Sequence, residues 1–219
     1  NFISTDATSF NLQWTTIGDT GSSYWINFIA FGGIDLTNAD ASSFTISTAI
    51  ETITTNLGFA PDIVLATCER YNNYDTNNIE VSFAHGAAIN STTQFAVDMV
   101  IDDGNTSSFT HSLQTTTLAS FMIMRGWEGG RTYISALKYA STHATGFMFD
   151  ITDADTATIR GIFLALAGGS YDVGFFSTAT ASANQTVNGM TFSSNGLLFF
   201  DVGLDAATGT SATAKMGIG

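Results

Sequence analysis

A chain of 219 residues that is 44% hydrophobic and only 11% charged can bury a sizeable core, but it carries less than half the roughly 25% charge of an ordinary soluble domain, so Ser, Thr, Asn and Gly must supply its polar surface. A net charge of −13 repels phosphate backbones and anionic lipid, which argues against nucleic acid and membrane as partners. The single cysteine, Cys68, excludes an intrachain disulfide and reads as a small buried apolar residue.

In chain order the patterns read as strands. Phe10, Leu12 and Trp14 alternate with Asn11 and Gln13, the period-2 signature of a half-buried strand. Trp25 to Phe31 is a β-rich run closed by Gly32 and Gly33. Ser43 to Thr48 alternates again, and Ile63 to Thr67 is a short apolar run suited to a buried strand. Phe95 to Ile101 stops at Asp102-Asp103-Gly104-Asn105, and Ser120 to Met124 stops at Gly126. Ile159 to Ala167 and Gly196 to Val202 repeat the theme. With Pro61 the only proline, turns rely on Gly, Asn and Asp. Glycine pairs at 32–33 and 168–169 suit positive φ at strand exits. In the turns before Ile63 and Gly196, Phe59 or Phe192 points inward and Asp62 or Asn195 bonds the local backbone. Only Ala39–Ser43 and Ala136–Tyr139 suit short helices. This cadence predicts an all-β fold, a β-sandwich or jelly roll.

The chain also carries an internal duplication. FIAFGG (Phe28–Gly33) matches LALAGG (Leu164–Gly169) at an offset of 136, from 32 to 168. SFNLQW matches GFMFDI at 137, from 10 to 147, and ITTNLGFAPDIVL matches TVNGMTFSSNGLL at 133, from 59 to 192. The expected division is a first half-unit at 1–83, an unduplicated segment at 84–138 and a second half-unit at 139–219. The start at Asn1 reads as a processed or trimmed product, with no signal peptide visible.

Chemistry is sparse. His85, His111 and His143 lack the close second ligand of a metal motif, and they read as surface or satisfied core histidines. The four glutamates, Glu51, Glu69, Glu80 and Glu128, are scattered. Asp102 and Asp103, and Asp150, Asp153 and Asp155, read as solvated turns, with calcium as the alternative. Trp127 in GWEGGR reads as a half-buried hairpin residue, with sugar stacking as the alternative. Asn90, Asn105 and Asn184 head sequons, and Lys138 and Lys215 are the only lysines available for a covalent cross-link. No catalytic, cofactor-binding or metal-binding residue is assigned, no cofactor is expected, and the expectation is a non-enzyme.

Gly32, Gly33, Asp35, Gly58, Phe59, Pro61 and Asp62 form an aromatic strand ending in Gly-Gly, followed by a G-F-x-P-D turn before an apolar strand. The pattern resembles repeated β-modules in structural proteins of tailed bacteriophages. The second copy departs from it, with Ser193-Ser194-Asn195 in place of Ala60-Pro61-Asp62. The resemblance implies a virion component, such as a head decoration, tail or fibre protein, at the virion surface or outside a cell. It implies partners that are copies of itself or other virion proteins, and no catalytic residue. The alternatives are a secreted or cell-surface adhesin or filament subunit, and a carbohydrate-binding jelly roll with a glycan contact on Trp127, Trp25 or Tyr71.

Overall fold

The computed structural model describes residues 2–5, 10–12, 30–71, 80–102, 109–114, 120–125, 133–155, 159–176, 184–193, 196–202 and 216–218. It divides into two compact units, Asn1–Gly32 and Gly33–Gly219. In the first, β1 (Phe2–Thr5) pairs antiparallel with β2 (Phe10–Leu12).

The second unit is all β among the described residues, with two antiparallel sheets packed face to face as a β-sandwich. The larger sheet runs β3 (Asn38–Ile46), β12 (Ile159–Ala167), β5 (Ile63–Tyr71), β6 (Glu80–Asn90), β7 (Thr93–Asp102) and β8 (Phe109–Gln114). The smaller runs β4 (Thr52–Thr54), β11 (Gly146–Asp153), β10 (Tyr133–His143) and β9 (Met122–Arg125). A further pair joins β13 (Phe200–Val202) to β14 (Met216–Ile218). The chain thus visits the large sheet with β3, the small with β4, the large with β5–β8, the small with β9–β11, and returns to the large with β12.

The two inner faces divide the core volume unequally. Strand alternation turns Ala66 of β5, Ala84, Gly86 and Ala88 of β6, Ala96 of β7, and Gly161 and Ala165 of β12 toward the small sheet. The small sheet answers with Leu137 and Tyr139 of β10 and Phe147, Phe149 and Ile151 of β11, joined by Phe121 just ahead of β9. Tyr139 stacks on Phe147 at a centroid distance of 5.6 Å. Phe147 meets Phe163 of β12 edge-on at 5.3 Å, and Phe44 of β3 meets Phe149 at 5.5 Å. Small residues predominate on the central strands of the large sheet, and the rings of β10 and β11 pack over them beside Phe44 and Phe163 from the large sheet itself. Phe44 also lies over Gly161, where a Cβ would sit 2.5 Å from the Phe44 ring and 2.8 Å from Cys68 Sγ. Cys68 is buried as expected, and burial foremost, with Glu69 second, pushes its thiol pKa well up.

Buried polar groups tie the sheets together. Gln94 of β7 is fully buried; its Oε1 accepts from Tyr139 N at 2.8 Å and its Nε2 donates to Ser91 O at 2.8 Å and Tyr139 O at 3.5 Å. It does so where the β10–β11 register shifts between Tyr139 and Ser141. Arg70 of β5 pairs through Nε with Asp155 Oδ2, both largely withdrawn from solvent.

The all-β sandwich agrees with the strand cadence. Both short helical expectations are overturned: 39–43 lies within β3 and 136–139 within β10. The duplicated blocks occupy unlike settings. GFMFDI lies in β11, whereas Phe10–Leu12 forms β2 of the other unit; ITTNLGFAPDIVL spans β4 and the start of β5, whereas 186–193 and 196–198 contain no strand. Of FIAFGG, residues 30–33 lie in no strand and Phe28 and Ile29 fall outside the described residues, whereas LALAGG forms the end of β12 and the turn after it. Positions 83/84 and 138/139 fall within β6 and β10, and the segment between them supplies β7–β9.

At Gly86 the β6 backbone lies directly against the Phe121 backbone ahead of β9. A Cβ there would run into the Phe121 carbonyl oxygen and lie 2.8 Å from Phe95 O, both backbone atoms that cannot rotate away. Gly86→Ala should therefore destabilise the protein by about 1–3 kcal/mol in urea unfolding, whereas Gly174→Ala, with open space around its Cβ, should stay within about 0.5 kcal/mol of the parent. Equal midpoints for the two variants would refute the close-approach account.

Candidate functional site

Alternation that buries one set of side chains turns the other set outward. On the large sheet that outer set is unusually apolar: Ile162, Leu164 and Leu166 of β12, Ile63 and Leu65 of β5, Ala87 and Ile89 of β6, and Phe95 of β7. The chain leaving β12 folds back over part of it, so Tyr171 and Val173 pack against Ile63 and Leu166. Farther along, Phe200 of β13 stacks on His85 of β6 at 5.2 Å and lies 5.9 Å from Phe95. Cover is incomplete. Ile162 is 57% exposed, and Phe176 and Phe199, in edge-to-face contact at 5.9 Å, both remain exposed.

One end of this face is a clasp built from the glycine and Pro-Asp motifs. Gly168 and Gly169, at the exit of β12, both have positive φ, as the strand-exit reading requires; of the first pair Gly33 has it and Gly32 does not, and no described strand ends there. The Thr37 N–H and hydroxyl both donate to Ala167 O, at 2.8 and 3.1 Å. Asp62 N donates to Leu166 O at 2.8 Å, and Asp62 Oδ2 accepts from Gly168 N at 2.7 Å. The Asp62 carboxylate thus joins two turns 106 residues apart rather than bonding its local backbone. A side chain at Gly168 would strike Asp35 O, so Asp35 and Gly168 meet backbone to backbone. Phe59 packs against the main core, as the turn reading expects. Tyr171 sits beside the clasp, its phenol pKa raised by burial and, second, by the Asp62 charge.

The other candidates disperse. His143 ends β10, with Nε2 2.9 Å from Thr55 O, on the opposite sheet from His85. Asp150 accepts from Thr52 Oγ1 at 2.6 Å and faces exposed Lys138 across the β10–β11 ladder. The solvated-turn reading of this segment is corrected: Asp150 and Asp153 lie in β11, and Asp155 is buried against Arg70. Asn90 at the β6–β7 turn is exposed, and its Oδ1 accepts from Thr92 N and Oγ1, each at 2.8 Å. Asn184 is exposed too. Trp25, Trp127, Asp103, Asn105, Glu128 and Lys215 lie outside the described residues, as do the side chains of Tyr71, Glu80, Asp102 and His111. Among the described residues no three His, Cys, Asp or Glu gather as metal ligands. Sequence reasoning missed the outer apolar face, although Leu164 and Leu166 signalled it: β12 carries large apolar residues on both of its faces.

Two titrations probe this surface. Burial lowers the His85 pKa below its ordinary 6.5, so the folded protein prefers the neutral ring against Phe200. That preference stabilises fully above the unfolded pKa and is lost as pH falls from there through the folded value. The urea midpoint should drop between about pH 8 and about pH 5.5, and His85→Gln should shrink the drop; an unchanged drop would dismiss the His85 assignment. In Asp62→Asn, the Tyr171 pKa should fall, yet stay above 10 because burial is the larger cause. NMR titration of labelled tyrosine reads this, and an unmoved Tyr171 signal counts against the clasp geometry. A scan against protein-family models, a search of curated proteins and a search of solved structures all give no match.

Proposed function

We propose that this protein is a non-enzymatic structural component of a virus particle, working through contacts between subunits. The observation that carries the reading is the exposure of large apolar side chains on a weakly charged chain. Ile34, Ile50, Ile162, Phe175 and Leu197 are 47–97% exposed, while charged residues make up only 11% of the sequence. Scattered exposed apolar residues are ordinary, but Phe176 and Phe199 touch, with exposed Phe175 and Leu197 close by in sequence, a grouping that marks a surface other molecules cover. Strand β3, at an edge of the large sheet, offers a second contact: Ala39, Ala41, Ser43 and Thr45 are small, uncharged and exposed. The resemblance to phage β-modules supports the same assignment. Descent from two related halves, and jelly-roll connectivity, belong to this reading; the three ordered blocks at offsets of 133 to 137 support the descent.

Electron microscopy with mass photometry of the purified chain tests the proposal. Rings, tubes or shells of defined copy number are expected. A monomer that persists at micromolar concentration contradicts it.

A further inference from the structure

Of the 219 residues, 19 are acidic and 6 basic, yet none of the 28 residues from Val173 to Phe200 carries a charge, histidine included. Asp172 and Asp201 bound the run. This stretch also holds six of the exposed large apolar side chains: Phe175, Phe176, Val187, Met190, Leu197 and Phe199. Both its ends are anchored on the large sheet, at the start by buried Val173 and at the finish by Phe200 over His85.

Resting on the assembly reading above, we propose that the described residues of this run, 173–176, 184–193 and 196–200, form a self-association surface whose occupant is the same segments of a second copy. The charge distribution selects that partner. Two copies at −13 each repel one another over most approaches. Run against run, they meet through the longest uncharged segment of the chain, with no carboxylate to desolvate. A basic partner, by contrast, would gain nothing at this surface and would bind the acidic remainder. The area is adequate. The six side chains are 40–59% exposed, so at ~200 Å² for a large side chain they present on the order of 500 Å². A standard interface buries about 800 Å² per partner, of which about 65% is apolar in homodimers. A twofold contact of this kind is self-complementary.

Sedimentation velocity on the full chain, across micromolar concentrations at low and high salt, tests the proposal. Self-association should strengthen with salt, because screening weakens the repulsion between the acidic remainders. Leu197→Asp and Phe199→Asp, at exposed positions and with folding checked by circular dichroism, should each weaken it about tenfold or more. Ile50→Asp adds the same charge at a site 74% exposed outside the run and should leave association within about twofold of the parent. If the two run variants associate like the parent, the self-association surface lies elsewhere and this proposal fails while the assembly reading stands. Equal weakening by Ile50→Asp attributes the effect to net charge and also overturns it. A parent chain that stays monomeric at every concentration and salt overturns the assembly reading itself.

Discussion

The seam on which the sandwich depends is the insertion of β12 between β3 and β5. In unbroken register, Ile159 to Ala167 pairs with Ile46 to Asn38 on one side, and Arg160 to Leu166 pairs with Glu69 to Ile63 on the other. Without it β3 has no neighbour in the sheet, and Phe44 and Ile46 lose the strand that holds them in the core. The same strand feeds both sides of the sheet: Phe163 and Ala165 enter the inter-sheet core, while Leu166 founds the outer cluster. The clasp extends the seam, since Asp62, Thr37 and Gly168 bind the entries of β5 and β3 to the exit of β12.

Packing across the sandwich is asymmetric. The central strands of the large sheet supply mostly small residues, with the rings of Phe44 and Phe163 toward its β3 edge, and the small sheet supplies Tyr139, Phe147 and Phe149. Cavity formation is the hazard on the small sheet and steric excess the hazard on the large one. Gln94 adds direction to an otherwise non-directional contact, because its amide matches both backbone groups of Tyr139. A burial as complete as that of Gln94 is tolerable only with such partners.

Much of this was legible in the sequence where the signal is local. The apolar run Ile63 to Thr67 is a central strand, and Phe95 to Ile101 lies in β7, because period and composition report burial directly. Local propensity misled at Ala136-Leu137-Lys138-Tyr139, whose helix-compatible residues form β10 because β9 and β11 pair on both sides. Asp155 reads as a solvated turn because its partner Arg70 lies far away in the chain, on β5. The role of Asp62 was hidden for the same reason, its acceptor geometry being set by Gly168. The outer apolar face was half legible: β12 shows two apolar sides, but a sequence does not say how much of a surface its own chain will cover.

The position of β12 in the chain sets a schedule for synthesis. Strand β3 ends 113 residues, and β5 ends 88 residues, before the start of the strand that belongs between them. Until Ala167 has emerged, β3 and the β12-facing side of β5 have no native partner in the sheet, and pairing them directly with each other would shut β12 out. The meander β5–β8 can form meanwhile, since its neighbours are consecutive, and it keeps one side of β5 occupied. Translation therefore delivers a half-built sheet with an open slot, and the nascent chain must keep that slot vacant until its last long strand arrives.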